Sequence, residues 1–139
     1  MAEIVISEFM DEAAVADLRA SFDVLYDKTL VDRPEELAAA AAGCRALIVR
    51  NRTQVRGALL EGAHLRVVGR LGVGLDNIDC KACRERGIAV IPATGANNTA
   101  VAEYVLAGLL MLEINRTRSH DKKYTPGMHR MKHFAEEIL

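Results

Sequence analysis

At 139 residues, with half of them hydrophobic and a formal net charge of −1, the chain is long enough to bury one sizeable core. Its balanced charge excludes a nucleic-acid binder, which carries an excess of Lys and Arg, and with no tryptophan and 4% aromatic residues it lacks the rings for a base-stacking surface. No basic segment followed by an apolar stretch opens the chain, and its longest apolar run, residues 105–112, is well short of the ~20 residues that cross a bilayer; the expectation is a cytoplasmic protein with no membrane partner.

Short β-rich runs alternate with helical patterns along the chain. Residues 3–7 (EIVIS) read as a strand and residues 11–20 as an amphipathic helix opened by acidic side chains. Residues 22–26 (FDVLY) form a second strand. Asp32-Arg33-Pro34-Glu35-Glu36 marks a helix start, with Asp32 as cap, an early proline and an acidic first turn; the alanine-rich helix ends at Gly43. Residues 45–49 (RALIV) are a third strand, residues 56–61 a short helix and residues 65–71 (LRVVGRL) a fourth strand. A helix over 79–86 stops at Gly87, and residues 88–91 (IAVI) are the fifth strand. A long helix starts near Asn98 and runs to about Arg116; the remainder is polar and poorly patterned.

Five strands separated by helices predict an α/β fold, a doubly wound parallel sheet. Right-handed crossovers favour the flavodoxin-like order 2-1-3-4-5, with ligands outside the carboxyl ends of the strands, near the switch between strands 1 and 3. Cys80-x-x-Cys83, with Cys44 the only other cysteine, lacks the second pair of ligands that zinc needs, so no metal site is expected and the pair reads as two ordinary helix cysteines. A phosphoreceiver domain is set aside because Arg50 stands where its aspartate belongs. A flavodoxin is set aside because the loop after strand 1, Ser7 to Glu12, is acidic.

Strand 3 ends in Arg50-Asn51-Arg52-Thr53-Gln54, a dense set of polar groups in which the guanidinium forks suit a carboxylate, phosphate or sulfonate. A solvated turn would account for Asn and Thr, but the position at the expected crevice favours a ligand. Strand 4 leads into Gly72-Val73-Gly74-Leu75-Asp76-Asn77. This is not a dinucleotide fingerprint: Asn77 stands where the third glycine belongs, and the next strand ends without an acidic residue for a ribose. What survives is a glycine-lined backbone able to approach a ligand closely. Asn97, Asn98 and Thr99 precede the long helix, of which a cap needs only one. Between Val101 and Leu112 only Glu103 and Tyr104 are clearly polar, and a helix apolar nearly all round is buried on most sides, which implies a second domain or subunit against it.

The segments ALIVRNRTQV (46–55), LRVVGRLGVGLDNID (65–79), RGIAVIPATGAN (86–97) and VAEYVLAGLLML (101–112) resemble the D-isomer-specific 2-hydroxyacid dehydrogenases, which include phosphoglycerate dehydrogenase-like enzymes. Residues 50–55 are most similar to the sulfolactate dehydrogenase branch. The resemblance implies that residues 1–98 are the flavodoxin-like substrate-binding domain, 99–116 an interdomain and dimer helix, and 117–139 an atypical tail. It implies that Arg50 and Asn51 contact the acid groups of a small anionic 2-hydroxyacid or 2-oxoacid, and that the backbone N–H groups of Val73 and Gly74 hold its carboxylate. Asn97 would lie at the hinge by the active site, and Val73 and Val101 near the nicotinamide. The implied cofactor is NAD or NADP, bound mainly by a Rossmann domain absent from these residues, and a homo-oligomer is expected. The family's G-x-G-x-x-G and catalytic histidine have no counterpart here, since none of His64, His120, His129 and His133 corresponds to it, so no catalytic residue is assigned. The expected function is the substrate-binding part of an NAD(P)-dependent oxidoreductase; the alternative is a catalytically inactive, stand-alone small-acid binding or interaction module.

Overall fold

The computed structural model describes residues 1–93 and 105–110. Five parallel strands, β1 (Ile4–Ile6), β2 (Val24–Tyr26), β3 (Ala46–Val49), β4 (Val67–Arg70) and β5 (Ala89–Pro92), form one sheet in the order β2-β1-β3-β4-β5. Ile4 to Ile6 pair with Val24 to Tyr26 on one side and with Ala46 to Ile48 on the other. The chain therefore reverses its direction of winding at β1 and β3, which opens a crevice above their carboxyl ends.

The three central strands are buried along their whole length, and that is why they read as continuous apolar runs; strands covered on both faces have no polar side to alternate with. The edge strand β5 does alternate buried and half-buried positions. Successive side chains point to opposite faces and feed two separate cores. Ile4, Ile6, Ala46, Ile48, Val67 and Ile91 meet Val15 and Leu18 of α1 (Glu12–Arg19). Val5, Leu47, Val49 and Val68 face the other way. There they meet Leu37 of α2 (Pro34–Gly43), Leu60 of α3 (Ala58–Glu61) and Cys83 of α4 (Cys80–Glu85). This is the doubly wound arrangement predicted from the alternation of elements.

Local signals set the helix ends. The Asp11 carboxylate accepts from Ala13 N at 3.0 Å and Ala14 N at 3.3 Å, and Asp79 accepts from Ala82 N at 2.9 Å, each satisfying donors that the first turn leaves free. Gly87, at φ 68°, ends α4 in the left-handed conformation that lets Ile88 N reach Cys83 O at 2.8 Å. One expected cap is wrong. Pro34 is the first residue of α2 and Arg33 its cap, without a side-chain bond, whereas Asp32 closes a 3-10 turn, Leu30–Asp32, and its carboxylate pairs with Arg52. Proline at the first position holds the preceding residue extended, and Asp32 is one residue too early to reach the free amides.

Residues 105–110 are helical, the middle of the long helix expected over 98–116; the rest of it lies outside the described residues, as do Asn97 and Val101. Val105 and Leu109 are fully buried in the α1-side core. Gly108 lies over β4 and β5, where an added Cβ would stand 3.7 Å from Val67 Cγ2 and 3.8 Å from Ile91 Cδ1. Leu110 on the opposite side is exposed. Among the described residues no helix is long and apolar enough to cross a membrane, and no group of three or more His, Cys, Asp and Glu is placed to hold a metal.

Candidate functional site

Three loops meet above the carboxyl ends of β1, β3 and β4. After β1 the chain continues as Ser7-Glu8-Phe9-Met10, and the Tyr26 hydroxyl pins it, accepting from Met10 N at 3.3 Å and donating to Met10 O at 3.2 Å. Ser7 and Glu8 are buried, unusual for a carboxylate unless it is fully engaged. Glu8 is engaged: Oε1 accepts from Arg50 N at 3.0 Å and Thr53 N at 2.9 Å, and Oε2 accepts from Arg52 N at 3.3 Å. Burial by itself would raise the Glu8 pKa, but the hydrogen bonds from Thr53, Arg50 and Arg52 outweigh it and hold the carboxyl below its ordinary range. Beside it Ser7 Oγ and Thr53 Oγ1 lie 3.0 Å apart in a shared hydrogen bond.

Glu8 takes up the N–H groups of the β3 loop; Asn77 takes up its carbonyls. Asn77 is buried and its Nδ2 donates to Arg50 O and Thr53 O, both at 2.8 Å. The backbone of Asn77 adds a further tie, since Val55 N donates to Asn77 O at 2.8 Å and Asp79 N to Val55 O at 3.0 Å, a parallel bridge of Val55 with Ile78. Residues 50–55 are thereby clamped between the loops after β1 and β4, and the side chains they carry are held on a stiff backbone.

The Arg50 guanidinium carbon lies 5.9 Å from the centroid of the Phe9 ring, within reach of a cation–π contact. Among the described residues it forms no ion pair, in contrast to Arg52, which is paired with Asp32. Asn51 is exposed beside it. Val49 pairs with Arg70 in the sheet, and Leu71 N donates to Val49 O at 2.8 Å, so the β4 loop runs alongside the β3 loop. Val73 at its tip is 66% exposed, a large apolar side chain left in the open. Among the described residues nothing accepts from the backbone N–H of Val73 or Gly74.

Arg70 lies beneath this loop. It is buried with Nε unpartnered among the described residues, and Nη1 reaches only Leu71 O at 3.5 Å. Gly72 takes φ 149°, which favours glycine, and a Cβ there would stand 1.7 Å from Arg70 Nη1, so the guanidinium would have to move aside for any other residue. Gly74 lies beside the same guanidinium, an added Cβ standing 3.7 Å from Arg70 Nη2. The glycine pair thus belongs to a close approach of backbone over a buried cation.

Of the residues singled out from sequence, Arg50 and Asn51 stand on one loop and Val73 and Gly74 on its neighbour. Asn97 and Val101 fall outside the described residues. Sequence reasoning missed the roles of Glu8, Asn77 and Arg70. A signal existed for Glu8: in the order 2-1-3 the residues after strand 1 stand next to those after strand 3, so an acidic residue there faces the Arg50 loop. Asn77 registered only as a missing glycine.

Residues 4–137 match the family model "D-isomer specific 2-hydroxyacid dehydrogenase, catalytic domain". The chain is 62% identical over 113 residues to an (S)-sulfolactate dehydrogenase of Chromohalobacter salexigens, covering 81% of this chain and 37% of that protein. It is 32% identical over 133 residues to a D-3-phosphoglycerate dehydrogenase of Archaeoglobus fulgidus, covering 95% and 25%. Among solved structures, the PH0520 protein of Pyrococcus horikoshii superposes with a TM-score of 0.62 at 25% identity, over 86% of this chain and 34% of that one. A cofactor (NAD+) bound 3-phosphoglycerate dehydrogenase of Entamoeba histolytica shares the fold at a TM-score of 0.55 and 23% identity, over 99% and 51%. The chain spans well under half the length of these curated relatives.

Proposed function

Because the chain belongs to the D-isomer specific 2-hydroxyacid dehydrogenase family, we propose that it is the substrate-binding part of an NAD(P)-dependent oxidoreductase acting on a dianionic 2-hydroxyacid of the sulfolactate type. The observation that carries this reading is the Arg50 guanidinium, unpaired among the described residues, on a loop clamped next to the glycine loop at 72–74. In this reading the N–H groups of Val73 and Gly74 hold the substrate carboxylate beside C2, and Arg50 meets the second acid group, with Asn51 at its side. Fixed donors of this kind cost no reorganisation when the acid binds and set C2 in one orientation. Asn97 is assigned to the hinge beside the bound acid. The identity to a relative named for (S)-sulfolactate supports the choice of second acid group.

The exposed apolar side chain of Val73 suits the face of a nicotinamide ring and would keep water from C2; Val101 is proposed to line the same side. The nicotinamide, when bound, supplies the hydride acceptor, while the residues of this chain bind and orient the acid. Residues 1–98 are read as the acid-binding domain and 99–116 as the helix that joins it to a Rossmann half and to a second subunit, the family match continuing to residue 137. We read the assembly as a cytoplasmic homo-oligomer. No part of these 139 residues carries G-x-G-x-x-G, so the purified chain should bind the acid but leave NADH unconsumed in the presence of its 2-oxoacid. Steady oxidation of NADH by this chain would overturn that division of labour.

The test of the binding reading is calorimetry on Arg50→Ala. Loss of a charged hydrogen bond costs about 1.5–3 kcal/mol, so affinity for (S)-sulfolactate should fall by about one to two orders of magnitude while affinity for lactate barely changes. An equal loss for both acids would show that Arg50 does not read the second charge.

A further inference from the structure

Glu8 makes none of the acid contacts proposed above, yet its carboxylate takes the N–H groups of residues 50, 52 and 53. Three N–H groups of one loop, two of them from the successive residues Arg52 and Thr53, converge here on one anion, as they do in the concave nests that receive a phosphate or carboxylate ligand. The nest here is filled from below by a side chain of the neighbouring strand end. The three amides held by Glu8 cannot be offered to a substrate, so recognition passes chiefly to the side chains of the loop. The next residue along, Phe9, supplies the ring against which Arg50 rests, so one short segment engages both the backbone and the side chain of Arg50.

We infer that Glu8 is a positioning residue for acid recognition: its carboxylate is a resident anion that occupies the nest of the β3 loop and so holds Arg50 over Phe9 in the orientation that meets the second acid group. This rests on the reading of Arg50 given above.

The experiment is a double-mutant cycle of Glu8→Ala with Arg50→Ala, titrated with (S)-sulfolactate, each variant's melting temperature being recorded. In the Arg50 background Glu8→Ala should lower affinity about tenfold or more. In the Arg50→Ala background the same change should cost less than about twofold, because a residue that acts through Arg50 has nothing left to position. Acetate, a carboxylate small enough for the vacated nest, should restore most of the lost affinity of Glu8→Ala, with the unaltered chain in the same acetate as reference. Glu8→Gln, which keeps one acceptor oxygen, should fall between and serves if Glu8→Ala does not fold. Unchanged affinity, an equal loss in both backgrounds, or a loss that acetate does not repair would each overturn the inference. A wild-type chain that binds neither (S)-sulfolactate nor lactate would instead overturn the reading of the site itself, before any variant is compared.

Discussion

Replacing Asn77 by Ala or by Asp separates the two things its carboxamide does. Nδ2 donates two hydrogen bonds at 2.8 Å to carbonyls of the β3 loop, each worth about 1 kcal/mol net. Asn77→Ala loses both, about 2 kcal/mol, and regains roughly 1 kcal/mol because the buried Oδ1, unpartnered among the described residues, no longer has to be desolvated. The net cost should be about 1 kcal/mol. Asn77→Asp has the same shape but, when ionised, sets a carboxylate against two carbonyl oxygens, a buried unpaired charge that costs about 3–5 kcal/mol. When protonated it can still donate one hydrogen bond, and the cost falls to about 1 kcal/mol. The difference of about 3 kcal/mol corresponds to a folded-state pKa raised roughly two units above the unfolded value near 3.9. For a group so raised, stability is fully present below the unfolded pKa and lost as pH rises through the folded one. Urea denaturation of the three proteins from about pH 4 to about pH 7 should therefore show a nearly constant deficit for Asn77→Ala. The deficit of Asn77→Asp should grow between about pH 4 and about pH 6 and then level off. If Asn77→Asp tracks Asn77→Ala at every pH, the carboxamide does not hold the loop carbonyls and the clamp is wrong.

Three further outcomes are expected. Gly72→Ala should lower stability by about 1–3 kcal/mol through its strained φ, and part of the loss should be recovered on Arg70→Ala, since the added Cβ would collide with Arg70 Nη1; thermal melts showing no recovery would remove the guanidinium from beneath the loop. The depressed pKa of Glu8 contributes stability that is present above its unfolded value of 4.5 and is lost as pH falls through the folded one. Glu8→Gln should therefore be less stable than wild type at neutral pH and should lose less on acidification, and parallel acid-denaturation curves would refute this. Burial pushes the Cys44 thiol up to about 12 and the Cys83 thiol up to about 11, and both are buried while Cys80 is partly exposed; a disulfide-exchange reagent should find one fast thiol in the native chain, and two or three fast thiols would contradict the packing of α4 or of the end of α2.

How much of this was legible beforehand depends on how far apart the interacting residues lie in the chain. Continuous apolar runs at residues 4–6, 46–49 and 67–68 announce strands buried on both faces, and the helices expected from Asp11 and Asp79 begin one residue later, with those aspartates as their caps. At Asp32 the acidic side chain suggests a cap, but the proline two residues later fixes Arg33 in that place.

The sequence by itself determined the strand succession, the doubly wound class, the family, and the two loops that carry Arg50, Asn51, Val73 and Gly74. These are properties of local pattern, since period, cap and turn chemistry act over a few residues. Only the tertiary structure decided what holds those loops. Glu8 meets residues 42 to 45 positions away, and Asn77 meets carbonyls 24 and 27 positions away. The sheet order 2-1-3-4 selects those partners by placing strand ends side by side. A buried carboxylate or amide is tolerated only where such partners satisfy it, and the neighbours that do so are fixed by the register of the strands and by no local feature of the chain.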